Sequence, residues 1–341
     1  MSLQPSEYQV GVIGLGQIAW SVDEDPQRRG IWSHIGAYEA SPNTKLQAVS
    51  SRNEDTCKKV QARYSIPAYY TDYRAMLDAE ELDVVSICTP IKTHYNIVMA
   101  CIDAGVKAIF CEKTLSFDVS EAEAMVRLCD EHGVVLAVNF VRRWDSLYRH
   151  VHELLSSGTI GELQTAVCYG STALHTSASH LIDVMCWYAG KPRWVVGEES
   201  NGFVRSVHGV EDPGGIGMVR FDSGVIGFVK ASSPSPYQYM SELDLVGTAG
   251  RIRITGDGAE FSVYRFGEAD ASPGSGYEIL VEQEVASPGK NERMVDAISD
   301  IVQCIENKRQ PESNGYSSLC SLRVIDGIQQ SSRDGNCRVD I

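Results

Sequence analysis

Several short sets of residues in this chain could do chemistry. Lys113 ends an apolar run, IFCEK, where a lysine can donate to a substrate hydroxyl and, as a nearby cation, favour its alkoxide. His180 opens a helical pattern, SHLIDVMCWYAG, in which Leu181, Val184, Met185 and Tyr188 form the apolar stripe. Histidine is the usual proton acceptor near neutral pH. Asp183, three residues on, could orient that ring or simply favour the helix N-terminus, and His175 is a rival base. Arg142, Arg143 and Trp144 follow Asn139, and guanidinium groups there could hold an anionic or polyhydroxylated ligand or form salt bridges.

A further set is made of small residues. In YQVGVIGLGQIAW the run Val10, Val12 and Ile13 feeds a G-x-G-x-x-A turn at Gly14, Gly16 and Ala19. Gly14 lets the chain turn sharply, Gly16 lets a phosphate approach the backbone, and Ala19 lets helix and strand pack closely. If a helix begins at Gln17, its positive end adds to the attraction for a pyrophosphate.

These residues need a frame. After the glycine turn, residues 21–32 (SVDEDPQRRGIW) are charged and without helical period, which predicts an inserted loop, either a solvated excursion or a flap. A helix resumes with Ser33 as N-cap. Apolar runs KLQAVS, DVVSIC, IFCEK and VVLAV then alternate with helical segments as far as residue 138, which predicts a parallel sheet covered by helices on both faces. Its strand ends would gather Gly14, Ser51, Thr89, Lys113 and Asn139. Strand two ends Ser50-Ser51-Arg52-Asn53 with no acid before Glu54, which leans to NADP over NAD. From residue 139 the rhythm becomes strand–turn–strand, predicting an α+β domain with an open, mostly antiparallel sheet over residues 139–341.

Bulk properties narrow the partners. The 341 residues favour two domains, and a net charge of −15 argues against binding nucleic acid backbones. The start lacks a signal-peptide pattern and no apolar run is long enough to span a bilayer, so no membrane association and a cytoplasmic location are expected. The ten cysteines are scattered without a CxxC pair, so packed thiols are expected and no metal site.

The ordered set GVIGLGQIA, CTPIKTH, CEKT, NFVRRW, SSGTIGEL and SHLID resembles the Gfo/Idh/MocA family of sugar and cyclitol dehydrogenases over nearly the whole chain. The resemblance implies an α/β chain, a Rossmann dinucleotide-binding domain over residues 1–138 followed by a substrate and oligomerisation domain. It implies cofactor contacts from Gly14, Gly16, Gln17, Ile18, Ser51, Arg52, Thr89, Pro90, His94, Glu112 and Lys113. Substrate contacts would come from Asn139, Arg143, Trp144, Thr176 and His180. Lys113 matches the lysine of the family's EKP motif and His180 the histidine of its D-x-x-x-H motif. His180 would take the hydroxyl proton while Lys113 polarises the same oxygen and hydride passes to NAD or NADP. Thr114 replaces the proline of EKP, so a cis bond there is not expected, because a non-proline cis bond costs ~3 kcal/mol. Thr176 stands where the motif has its acid. Alternatives are a non-catalytic nucleotide-binding homologue, or an enzyme using transient redox for lyase or glycosidase chemistry. An open sheet face also implies a homo-oligomer, a dimer or tetramer.

Overall fold

The computed structural model describes residues 7–341 apart from 172, 201, 203, 208, 236 and 269–272 and the side chain of residue 207. Two compact units form, Met1–Asp145 with Asn291–Ser318, and Ser146–Lys290 with Leu319–Ile341.

The first unit begins with β1 (Tyr8–Ile13), α1 (His34–Ala40), β2 (Thr44–Ser50), α2 (Glu54–Tyr64), β3 (Ala68–Tyr70) and α3 (Tyr73–Ala79). It continues with β4 (Val84–Ile87), α4 (His94–Asp103), β5 (Ala108–Cys111), α5 (Val119–Glu131) and β6 (Val135–Val138). The strands pair in parallel in the order β3-β2-β1-β4-β5-β6, the doubly wound arrangement with its crossover between β1 and β4. Strands β4 and β5 are buried throughout, as expected for short apolar runs under helices on both faces.

The second unit carries α6 (Ser146–Ser156), β7 (Leu163–Gly170), α7 (Ser179–Ala189), β8 (Pro192–Glu199), β9 (Arg205–Val207), β10 (Val210–Asp212), β11 (Gly215–Phe221) and β12 (Ile226–Ala231). Then come β13 (Ser241–Gly247), β14 (Gly250–Thr255), β15 (Glu260–Gly267) and β16 (Ile279–Gln283). The tail adds α8 (Arg293–Asn307), α9 (Gly315–Arg333) and β17 (Val339–Asp340). A nine-stranded sheet runs β16-β15-β14-β13-β7-β12-β11-β8-β17, antiparallel except where β12 lies parallel to β7. Strands β9 and β10 form a separate ribbon.

Two expectations change. A single break after residue 138 does not describe the units, because α8 belongs to the first. Its stripe Met294, Ala297, Ile298 and Ile301 joins Ile35, Tyr38, Phe110 and Trp144 in one core. Nor is the turn at Gln17 the start of an α-helix. Two short 3₁₀ turns, Gln17–Ala19 and Ser21–Glu24, stand there, separated by Trp20 at φ −155°, and the α-helix waits until Ser33 caps α1.

The charged loop between them is tied down. Asp23 accepts from the Trp32 N–H at 2.8 Å and from the Ser33 hydroxyl at 2.5 Å, and Ser33 Oγ in turn accepts from Gly36 N–H at 3.0 Å. The Ile31 N–H donates to Glu292 at 2.8 Å, and the Arg293 guanidinium lies over the Trp32 ring. Asp23 thus ties the loop to the start of α1, while residues 26–30 stay exposed. Asp23→Ala is expected to lower stability by about 1–2 kcal/mol through loss of this doubled cap. Wild-type urea midpoints for the variant would contradict that role.

None of the ten cysteines is in a disulfide and eight are buried; burial pushes the Cys129 and Cys168 thiols up to about 12, so they are poor nucleophiles at neutral pH. Among the described residues no His/Cys/Asp/Glu cluster could hold a metal, and no helix is long and apolar enough to cross a membrane.

Candidate active site

The carboxyl ends of the first sheet place the glycine turn beside the ends of β2 and β4. Gly14 has φ +90°, and a Cβ there would lie 2.7 Å from Thr89 Cγ2 and 2.8 Å from the Cys88 carbonyl. Only glycine fits. Its N–H donates to the Ser50 carbonyl at 2.8 Å, which ties the turn to the end of β2. A Cβ on Gly16 would instead meet nothing within 4 Å, and Gly16 and Gln17 are exposed, with Ile18 half-buried. That leaves open space against bare backbone, where a phosphate can approach. Ser51, Thr89 and Pro90 are half-buried at neighbouring strand ends, and Arg52 is exposed. These residues fit a dinucleotide.

Glu112 and Lys113 follow β5, both half-buried. Glu112 is held by a chain of polar side chains absent from the sequence reading. His34 Nε2 donates to Glu112 Oε1 at 3.0 Å, and Asn139 Nδ2 donates to the same oxygen at 2.7 Å. On the far side of the ring, His34 Nδ1 lies 2.9 Å from Ser86 Oγ, which lies 2.9 Å from the Tyr38 hydroxyl. With a neutral imidazole the chain runs one way: Tyr38 donates to Ser86, Ser86 to Nδ1, and Nε2–H to Glu112. His34 and Ser86 are fully buried, so this serine–histidine–glutamate order is no nucleophilic triad; its hydroxyl is out of reach. Burial pushes the Glu112 carboxyl up, but the hydrogen bond from His34, the charge of Lys113 and the hydrogen bond from Asn139 outweigh it and hold Glu112 below the usual carboxylate range. The chain thus keeps a carboxylate charged immediately before Lys113. A serine inside the otherwise apolar β4 was the one signal of it.

Several expected contacts are re-assigned by burial. The His94 ring is fully buried, with Nε2 2.9 Å from the Thr89 carbonyl and Nδ1 3.1 Å from that of Thr114. Burial lowers its pKa. The neutral ring has one N–H to donate to one of these carbonyls, and both of its nitrogens face backbone oxygens inside the protein. Trp144 is also fully buried, edge-on to Phe110, with its indole N–H on Asp300 at 2.9 Å. It is core, not a substrate contact. Arg142 and Arg143 are nearly buried, and Arg143 reaches the Glu312 carbonyl at 3.5 Å. Asn139 is 5% exposed and spends its amide on Glu112, while its Oδ1 is buried without a hydrogen-bond partner among the described residues. The Lys113–Thr114 peptide is cis, where trans was expected; Thr114 is fully buried, its carbonyl held by His94.

In the second unit His180 is half-buried in the first turn of α7, and Asp183 is fully buried. A wide π-type turn, Leu174–Ala178, leads into the helix from Ala173, a non-glycine residue at φ +82°. Such strain persists only where surroundings enforce it. Here Asp212 does so, accepting from the N–H groups of His175 and Thr176 and from the Thr176 hydroxyl. Sequence reasoning missed Asp212, which sits on a strand too short to show a period.

Residues 8–140 match the family described as "Oxidoreductase family, NAD-binding Rossmann fold", and residues 164–253 match the "GFO/IDH/MocA C-terminal domain". The chain belongs to the Gfo/Idh/MocA family. It is thus an oxidoreductase on an NAD-binding Rossmann fold, with the family's second domain present. Among its relatives is scyllo-inositol 2-dehydrogenase (NAD(+)) of Bacillus subtilis, 23% identical over 96% of both chains. Another is D-xylose 1-dehydrogenase (NADP(+)) 2 of Haloferax volcanii, 25% identical over 90% of this chain and 95% of that one. An NAD-binding oxidoreductase from Klebsiella pneumoniae shares the fold with a TM-score of 0.81 at 20% identity, covering 98% of this chain and 99% of that one.

Proposed function

We propose that this protein oxidises a secondary hydroxyl of a sugar, sugar derivative or cyclitol, or reduces the corresponding ketone, with NADP favoured over NAD. The observation that carries the reading is the strand-end constellation of the first unit: an open glycine turn at Gly14 and Gly16 after β1, with Glu112-Lys113 after β5, two strands away in the same parallel sheet. Family membership and relatives named as inositol and xylose dehydrogenases support it. A bound nicotinamide supplies the hydride acceptor. Lys113 donates to the hydroxyl oxygen and stabilises the negative charge that grows there. His180 takes the hydroxyl proton onto its ring. Asn139, through Glu112, helps set the backbone from which Lys113 projects. Exposed Ile216 and Phe228 on the second sheet support self-association of the chain.

Arg52 is the group we assign to the 2′-phosphate. Arg52→Ala is expected to weaken NADP binding at least ~10-fold, the scale of one charge-assisted hydrogen bond, and to leave NAD nearly unchanged. Calorimetric titration of both nucleotides tests this. Equal losses for the two would end the NADP preference, and no affinity for either in the wild type would end the functional reading itself.

A further inference from the structure

Asp212, the last residue of β10, is fully buried, and its carboxylate grips the segment just before His180. Oδ1 accepts from the His175 N–H at 2.9 Å, and Oδ2 accepts from the Thr176 N–H and the Thr176 hydroxyl, each at 2.8 Å. The neighbouring Pro213 carbonyl accepts from the Leu174 N–H at 2.9 Å. A hydroxyl has one proton to give, and that of Thr176 goes to Asp212. Its oxygen can therefore meet any further group only as an acceptor, the hydrogen-bonding character of a carboxylate. His180 comes four residues later in the chain, with Thr176 in the π-type turn and His180 in the first turn of α7 that the turn leads into.

We propose that Asp212 is a positioning residue for His180: acting through Thr176, it supplies from β10 the carboxylate that residue 176 lacks. The strained backbone at Ala173 is held by the same grip, so one buried acid sets both the turn and the polarity of what faces the imidazole. The inference rests on the reading of His180 as proton acceptor. Asp212 itself needs no contact with substrate.

The test is an exchange of carboxylates, using Thr176→Asp, Asp212→Asn, the double variant, and Thr176→Val, which keeps the side-chain shape. Thermal unfolding is measured on the cofactor-free chain. Turnover and its pH profile are measured with NAD and NADP on myo-inositol, D-xylose and D-glucose. Thr176→Asp alone sets two carboxylates against each other, so both stability and kcat are expected to fall, the latter at least ~10-fold. Asp212→Asn in that background is expected to restore both. Thr176→Val is expected to lower kcat more than it changes KM and to move the acid limb of the profile to lower pH, since the hydroxyl oxygen that would accept from the imidazolium is gone while Asp212 stays. Wild-type turnover in Thr176→Asp, or a double variant no better than the singles, would overturn the proposal. Should the wild type oxidise none of the three compounds, the functional reading fails on that substrate panel. The unfolding cycle then decides the Asp212–Thr176 pairing on which the inference stands, with rescue of Thr176→Asp by Asp212→Asn upholding that pairing and no rescue overturning the inference.

Discussion

Lys113→Ala is expected to lower turnover at least ~100-fold, the low end for losing a positioned catalytic group, while nucleotide affinity changes by no more than a few-fold. The split follows from where the lysine stands. The groups that would hold the dinucleotide are the bare backbone at Gly14 and Gly16 and the side chains after β2, none of which depends on Lys113. What is lost is charge stabilisation at the reacting oxygen, needed only as the alkoxide develops. Steady-state kinetics beside a nucleotide titration separates the two effects. Near-normal turnover would remove Lys113 from the chemistry, and a parallel loss of nucleotide affinity would make it a binding residue instead.

His34→Leu should be the most damaging substitution outside the chemistry, costing about 3 kcal/mol of stability. Breaking a buried, hydrogen-bonded pair leaves the remaining charge without its partner, which is worth ~3–5 kcal/mol where burial is complete. Here His34 is fully buried but Glu112 keeps some solvent, and Asn139 still donates to it, so the lower end applies. The pH dependence follows from the depressed Glu112 carboxyl. A group held below its ordinary 4.5 in the folded chain contributes stability that is complete above that value and is lost as pH falls through the folded value. Unfolding free energies of the wild type should therefore fall on acidification below about 4.5 more steeply than those of His34→Leu. Parallel pH curves for the two proteins would mean that the His34–Glu112 bond does not set the carboxyl's affinity for protons.

The elements were legible in the sequence because their signals are local. The apolar runs KLQAVS, DVVSIC and IFCEK became β2, β4 and β5, and Ser33 announced the start of α1 as a side-chain cap, whereas the caps Asn53 and Asp118 were seen only in the structure. The glycine turn could be read because Gly14 has a conformation that other residues avoid. What stayed hidden depends on distance along the chain. His34 meets Glu112 across 78 residues, Trp144 meets Asp300 across 156, and Asp212 meets Thr176 across 36. Composition misled where it was ambiguous. A tryptophan beside two arginines suits a ligand pocket as well as a core, and the acidic loop after Trp20 looked solvated although Asp23 and Glu292 pin it. The sequence also could not place α8 in the first unit, since its apolar stripe carries no address.

The chemistry proposed for this chain is hydride transfer between a nicotinamide and a secondary hydroxyl. It is tested most directly by following nicotinamide absorbance while the purified chain is offered NAD or NADP with inositols, aldoses and their keto derivatives. Reduction of the cofactor by at least one polyol, faster with NADP and lost in Lys113→Ala and His180→Ala, is the predicted result. Tight binding of nucleotide with no cofactor reduction or oxidation by any compound in either direction would contradict it.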